Sequence, residues 1–475
     1  MSRIRLFIEN FLVYGLGGML SKIIPFIMLP IITRLFPNTD YIGISDLVIT
    51  IVSFGTSFSI LGMYDAMFRM FFEREDFLYR KTICSTALFF TVFTSIVFTI
   101  IMLIFKCQIS YLFFGDSQYD YLVIIAAVNI MVGATNSIVS APTRMNNKKM
   151  IFLIANSITP LISYSISISL ILNKIYTVSL PMGSLLSAIV IEGIFIFLNK
   201  SYFSPQFFDW KQLKPLLHIG LPLVPNFVVY WIFNSSDRIM ISHILGNDWS
   251  GVYAVGARIG MISQLIYTAF AGGWQYFAFS TMKDEDQVEM TSKVFEYLGT
   301  ISYAATIIIS SLCIWIFQVL FKQEYWGGAI LVPYLFLAPL LQMLFQVACN
   351  QFIVVKKTWP NVFILGAGAF INIIFNFVFI EKIGIEGAAI ATFLGYSISV
   401  ALCIIILQKM NLIKISKRFL IVTLIMLIYF MFWRLYLKEF QMLSFIFSCS
   451  VCIGYIIIYR KDIGLLTKKI VSREK

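Results

Sequence analysis

Charge is scarce in this sequence. Only 13% of its 475 residues are Asp, Glu, Lys or Arg, while 59% are apolar, against about 25% charged and 45–50% apolar in a soluble domain. No soluble core is large enough to take up that excess, and the mean hydropathy of +0.86 places the chain in a bilayer. Long polar stretches are also missing, so there is no room for a catalytic domain outside the membrane. Histidine is nearly absent: there are two, His218 and His243, both near the ends of apolar runs. There is no His-Glu metal cluster, Walker A loop, Gly-rich nucleotide turn or GxSxG elbow. An ATP-driven pump and a membrane metallohydrolase are thereby excluded, no cofactor is expected, and the chain is read as not an enzyme. A glycosyltransferase or glycan polymerase would carry a large loop outside the membrane, and none is present. The net charge of +12 comes from basic residues dispersed through short loops, which excludes nucleic acid as a partner. Of the seven cysteines, Cys84, Cys313, Cys349 and Cys403 sit in apolar runs as small hydrophobes. The Cys449/Cys452 pair lies in an apolar segment with no histidine beside it and reads as packing.

What is abundant is apolar run length. Runs of spanning length fall at 10–35, 41–70, 82–105, 119–141, 150–173, 176–198, 216–245, 250–280, 294–321, 328–355, 360–380, 384–408, 418–437 and 440–459, so the fold class is all-α polytopic, with about fourteen transmembrane helices. The basic lead Arg3/Arg5 precedes a long run without a clear cleavage site, which reads as a retained first span. Placing the N-terminus inside puts 26 of the 36 basic residues in inner segments and eight in outer ones. The positive-inside rule therefore predicts that both termini are cytoplasmic.

One internal offset recurs. Lys148-Lys149 and Lys356-Lys357, Lys174-Ile175 and Lys382-Ile383, and Gly43 and Gly251 are each separated by 208 residues. Around the last pair, Pro37-Asn38-Thr39-Asp40-Tyr41-Ile42-Gly43 resembles Gly246-Asn247-Asp248-Trp249-Ser250-Gly251 with one gap. Six spans per repeat is an even number, so the copies are parallel and related by a pseudo-twofold axis along the membrane normal. The predicted organisation is an N-lobe over 1–198, a cytoplasmic linker over 199–215, a C-lobe over 216–408, and a C-terminal pair of spans with a basic tail over 409–475. Two such lobes around a cleft form a transporter that rocks between inward-open and outward-open states.

Polar groups inside the bilayer are costly and point to the cargo. Lys22, midway in span 1, shares a face with Tyr14 and Gly18, and Arg258 lies about two turns into span 8. One cation from each lobe would make a cleft for a phosphate or diphosphate, the alternative being a carboxylate on a neighbouring helix. Arg34 and Arg238 join them as substrate-binding candidates. On span 2, Asp46, Thr50, Ser53 and Ser57 form a polar stripe that lines water or another helix. Asp46, Asp237 and Asp65 are candidates for a coupling H+ or Na+; pairing of Asp46 or Asp237 with Lys22, Arg34 or Arg238 is the competing reading. Glu192 is isolated in span 6. Gln346 and Asn350 on span 10, and Asn372 and Asn376 on span 11, are amide pairs at helical spacing, suited to sugar contact or to interhelical hydrogen bonds. Pro25 and Pro30 in span 1, and Pro222 and Pro225 in span 7, predict hinges in the lead helix of each lobe.

The stretch Ser236-Asp237-Arg238-Ile239-Met240-Ile241-Ser242, with Leu245-Gly246, Gly251-Val252-Tyr253-Ala254 and Arg258-Ile259, resembles the start of the second lobe in polysaccharide exporters of the multidrug/oligosaccharidyl-lipid/polysaccharide (MOP) superfamily, and in particular Wzx-type O-antigen flippases. Leu29-Pro30-Ile31-Ile32-Thr33-Arg34-Leu35 and Gly43 are similar to that family's opening. The resemblance implies ion-coupled alternating access that carries undecaprenyl-diphosphate-linked oligosaccharide units from the cytoplasmic to the outer leaflet of the bacterial plasma (inner) membrane. It also implies a lipid-linked oligosaccharide and membrane lipids as partners, with a polysaccharide polymerase and a chain-length regulator as further candidates. Related flippases carry basic residues in the first and eighth helices, which Lys22 and Arg258 match. Lys stands here where such sites often use Arg, and the first lobe is poorer in cavity cations than a peptidoglycan-precursor flippase would be. The rival readings are an ion-coupled drug or organic-cation antiporter of the same fold and a non-transporting scaffold of a glycan-assembly complex.

Overall fold

The structure is a computed structural model that describes residues 23–280, 284–355, 357, 359–462 and 464. Lys22, the first half of span 1 and most of the basic tail lie outside the described residues. Among those described there are helices and no strands. The chain is an all-α, multi-pass membrane protein, and twelve of its helices are long and apolar enough to cross a bilayer. The other two expected spans are also present in part. Helix α1 (Ile23–Leu35) covers the described part of span 1, and span 8 is split into α11 (Asn247–Gly260) and α12 (Gln264–Ser280) by a 3-10 turn at Met261–Ser263.

Two compact units divide the chain: residues 1–255 with 369–391, and residues 256–368 with 392–475. In the first unit, α2 (Asp40–Ile60) does not run on as the single expected span. Leu61 and Gly62 adopt left-handed conformations, φ 49° and 72°, and a separate short helix, α3 (Met63–Phe71), follows. The glycine is required twice, by its backbone angle and by its contact with Gly220, whose Cα lies 2.7 Å from where a Gly62 Cβ would stand. Helices α4 (Phe77–Ile104), α5 (Lys106–Phe114), α6 (Asp120–Met145), α7 (Lys149–Leu172) and α8 (Ser179–Asn199) complete the first repeat. The short α5 was expected only as an outer loop.

The expected span 7 is also two pieces. Amphipathic α9 (Trp210–Gly220) buries Leu213 and Leu216 against Met63, Met67 and Ile83, and α10 (Val224–Leu245) follows a 3-10 turn. Pro222 and Pro225 therefore start helices, where a missing N–H costs nothing, instead of bending one in mid-membrane. At one end of this unit, Asn199 Nδ2 donates to Val139 O and Thr143 Oγ1 at 2.8 Å each, and Ser204 N and Asp209 N donate to Ser85 and Thr86. At the opposite end Tyr41 packs on Tyr176 and His243 meets Leu112. Loops predicted for the same side of the membrane thus gather at the same end.

In the second unit α13 (Gln287–Leu320) is the hub for α14 (Val332–Val354), α17 (Lys417–Leu435) and α18 (Gln441–Ile458). Buried Tyr429 hydrogen-bonds Ser310 Oγ at 2.7 Å and Ser448 Oγ at 2.8 Å, and Glu296 accepts from Ser416 N at 2.6 Å and Ser416 Oγ at 2.8 Å. The last two spans are pinned to α13 by these bonds. The repeat is visible in the element starts: α2 and α11 begin 207 residues apart, α7 and α15 (Trp359–Ile383) 210, and α8 and α16 (Ile385–Lys409) 206.

Tyr429→Phe should remove the shared hydroxyl while Ser310 and Ser448 keep their own carbonyl partners. The expected cost is about 0.6–1.7 kcal/mol, seen as a fall of roughly 1–4 °C in the thermal unfolding midpoint in detergent.

Candidate functional site

Chain reversal from α1 into α2 is made by Phe36-Pro37-Asn38-Thr39. Phe36 is buried and stacks on Tyr41, with ring centroids 5.6 Å apart. Thr39 stands at the N-cap of α2 but makes no side-chain cap. Its hydroxyl instead donates to Asp248 Oδ1 at 2.8 Å. The corner between α10 and α11 is formed by Gly246, at φ 96°, and is held by Ser242 Oγ donating to Asn247 Oδ1 at 2.6 Å. That corner docks on the carbonyls ending α5: His243 Nε2 lies 2.7 Å from Leu112 O, and Asn247 Nδ2 donates to Phe114 O at 3.3 Å.

Where α2 meets α11 the backbones touch. A Cβ added to Gly43 would collide with Asn247 O and come within 2.7 Å of Gly251 N; one added to Gly251 would collide with Thr39 O and come within 3.2 Å of Gly43 N. The contacts are reciprocal, because 39 pairs with 247 and 43 with 251 under the 208-residue offset. This is the self-complementary geometry of a twofold interface, made within one chain by its two repeats.

One turn further in, charge joins the same helices. Arg238 of α10 places Nε 2.6 Å from Asp46 Oδ2 of α2, at an angle outside hydrogen-bond geometry, so attraction between charges carries the contact. Its Nη1 donates to Asn234 O at 2.6 Å. Asp237 is 3% exposed; Oδ1 accepts from Arg238 N at 2.9 Å and Oδ2 accepts from the Tyr253 hydroxyl of α11. Deeper still, Trp231 Nε1 donates to Thr50 O at 3.3 Å and packs at a tilt against Phe54, with ring centroids 4.7 Å apart. The stripe on α2 therefore faces α10 at Asp46 and Thr50. Asp46 thus stands against Arg238, one of the three cations open to it as partners in the sequence.

Towards the other end the stripe enters a cavity of about 350 Å³. Ser57 of α2, Tyr64 and Asp65 of α3, and Ser137, Ser140 and Arg144 of α6 line it. Arg144 Nη1 donates to the Tyr64 hydroxyl at 2.6 Å, and its guanidinium carbon stands 5.2 Å from the centroid of Phe152. Asp65 is thus separated from Asp46 and Asp237, which share a cluster.

The remaining candidates are dispersed. Arg34 is exposed at the end of α1, and Arg258 is half-buried in the second unit. Gln346 Oε1 and Asn350 Nδ2 on α14 are buried without a hydrogen-bond partner among the described residues. Asn376 donates to Asn372 at 3.3 Å and Ser236 donates to Asn372 at 3.4 Å, which is the interhelical use of that pair. Sequence reasoning missed Tyr253, Asp248, Tyr64 and Arg144. Asp248 had a signal, since it lies 208 residues from Asp40.

The fold that carries this site is shared with solved membrane proteins. It is similar to the lipid II flippase MurJ in an inward closed conformation (17% identity, 95% of this chain and 100% of that chain, TM-score 0.73). It is also similar to an inward-facing multidrug resistance MATE family transporter of the MOP superfamily (14%, 83% and 98%, 0.63) and to a MOP superfamily transporter of Pyrococcus furiosus (14%, 85% and 95%, 0.58). The chain belongs to the polysaccharide biosynthesis protein family, whose profile matches residues 31–330. An uncharacterised membrane protein of Methanocaldococcus jannaschii is 25% identical over 225 residues, 45% of this chain and 44% of that protein, so the chain spans less than half the length of the curated relative it matches.

Arg238→Ala should remove the cation that stands 2.6 Å from buried Asp46 and beside buried Asp237, a loss of about 3–5 kcal/mol. Adding Asp46→Asn should recover more than half of it. Thermal unfolding of the single and double variants at fixed salt measures both.

Proposed function

We propose that this protein flips a lipid-linked polysaccharide repeat unit across the membrane by alternating access. The observation that carries the reading is the asymmetry of the first unit. At one end the lead segments of the two repeats are latched by backbone contact at Gly43 and Gly251 and by the Asp46, Arg238, Asp237 and Tyr253 cluster. Towards the other end a cavity with polar and aromatic walls lies between helices of that unit. The distribution of basic residues assigns the latched end to the outside and the cavity to the cytoplasm, the side on which a lipid-linked precursor is made. Membership of the polysaccharide biosynthesis family favours a glycan cargo over a drug. In this reading Lys22 and Arg258 hold the diphosphate, the lipid tail stays in the bilayer, and release at the outer face requires the latch to part. Once the latch parts, Asp46 and Asp237 are the carboxylates placed to take up a coupling H+ or Na+.

Complementation of a bacterial strain lacking its own repeat-unit flippase tests the cargo. Wild type should restore surface polysaccharide, and Lys22→Ala and Arg258→Ala at matched membrane levels should lower it at least about tenfold, a loss of roughly 1.4 kcal/mol or more. Failure of wild type in its native glycan background favours the antiporter, and full activity of both variants removes the anion site. Alternation has a separate test. In a chain cleared of its native cysteines, the Thr39→Cys/Asp248→Cys double variant should stop export when oxidised and resume it when reduced; unchanged export with the cross-link formed overturns the latch.

A further inference from the structure

The cavity beneath the latch contains an acid and a base that do not pair with each other. Asp65 and Arg144 both line it, yet Asp65 makes no ion pair among the described residues. Arg144 is held from two sides, by the Tyr64 hydroxyl and the Phe152 ring. The serines are turned the other way: Ser57, Ser137 and Ser140 donate to the Ser53, Gly133 and Ser137 carbonyls at 2.9, 2.8 and 3.3 Å. Their protons are thereby spent on the helix backbone, and what they offer the cavity is lone pairs. The cavity thus presents several acceptors, one donor fork and an aromatic wall at Phe152 and Phe227.

An occupant that matches this set carries several donors, at least one carbonyl-type acceptor and an apolar face. Asp65 and Arg144 cancel in charge, so a diphosphate has no net attraction here, and a carboxylate approaching the Arg144 fork meets repulsion from Asp65. At about 350 Å³ the space is at the small end of the 300–1,000 Å³ range of ligand pockets, enough to seat one ring. We infer that this cavity is a subsite for a single uncharged sugar ring of the acetamido-hexose type, with Asp65 accepting from ring hydroxyls and Arg144 donating to the acetamido carbonyl, and that it discriminates against hexuronic acids. The inference rests on the flippase reading above and names the part of the cargo read in the first repeat.

Three polyprenyl-diphosphate lipids test it with the full chain in nanodiscs: one without sugar, one bearing N-acetylhexosamine and one bearing hexuronic acid, with binding read from tryptophan fluorescence. Wild type should bind the acetamido lipid at least about tenfold more tightly than either other lipid, as expected where polar groups select their partner. Asp65→Asn should narrow the preference for acetamido over uronate to less than about threefold, because the repelling charge is gone. Arg144→Gln should bring the acetamido lipid to the level of the sugarless one, with thermal unfolding midpoints reporting that both variants are folded. Equal binding of the sugarless and acetamido lipids by wild type, or tightest binding of the uronate, overturns the subsite and leaves the flippase reading standing. No binding of any of the three overturns both.

Discussion

Two glycines decide how close α2 and α11 come. Gly43 and Gly251 bring the start of α2 and the start of α11 into backbone contact, and the Thr39–Asp248 hydrogen bond is placed by their approach. A side chain at either position would hold the two helices apart by about the thickness of a methyl group or more, and Thr39 would lose Asp248. The reciprocity of the contact follows from duplication: a segment that touches its own copy across a twofold axis must meet it at equivalent residues. Small residues permit such contact in a membrane because association there depends on close packing instead of hydrophobic exclusion.

The charges add selectivity to that fit. Asp46, Asp237 and Arg238 would each be expensive alone in a low-dielectric surrounding. Together with the Tyr253 hydroxyl they form a cluster in which Asp46 is ion-paired and Asp237 is hydrogen-bonded, and these contacts exist only while α2, α10 and α11 are assembled. Separation must bring water or another partner to these groups. In the alternation proposed above, the cluster is a two-position device, stable when dry and closed or when open and solvated, with the intermediate penalised. The cavity works differently. Its serines satisfy themselves on their own helices, and its acid and base do not pair with each other, so the Asp65 carboxylate is left for an occupant.

Much of this fold is legible in the sequence because a bilayer fixes the length of an apolar run, and all fourteen predicted spans are represented among the described residues. The breaks were not legible. Hydropathy passes smoothly through Leu61-Gly62 and through Met261–Ser263, and what interrupts those helices is packing: Gly62 on Gly220, and Gly260 on Leu335. The pairing of Asp46 with Arg238 stood among the alternatives that the α2 stripe allowed. Tyr253 was silent, since one tyrosine in an apolar helix has no signature until Asp237 is seen beside it. Arg144 was readable only as a basic loop residue, although Ser137, Ser140 and Arg144 recur at i, i+3 and i+7 on α6, the same kind of signal that drew attention to α2.

A contact built from backbone at Gly43 and Gly251 separates two evolutionary burdens. At those positions the space admits no side chain, so variation there is paid for in assembly itself. The serines and aromatic walls of the cavity take no part in that contact and can be exchanged for other acceptors or surfaces with little effect on how the repeats meet. Under the flippase reading proposed above, a lineage that changes the chemistry of its surface glycan can thus rewrite the cavity residues while inheriting the Gly43 and Gly251 contact unaltered.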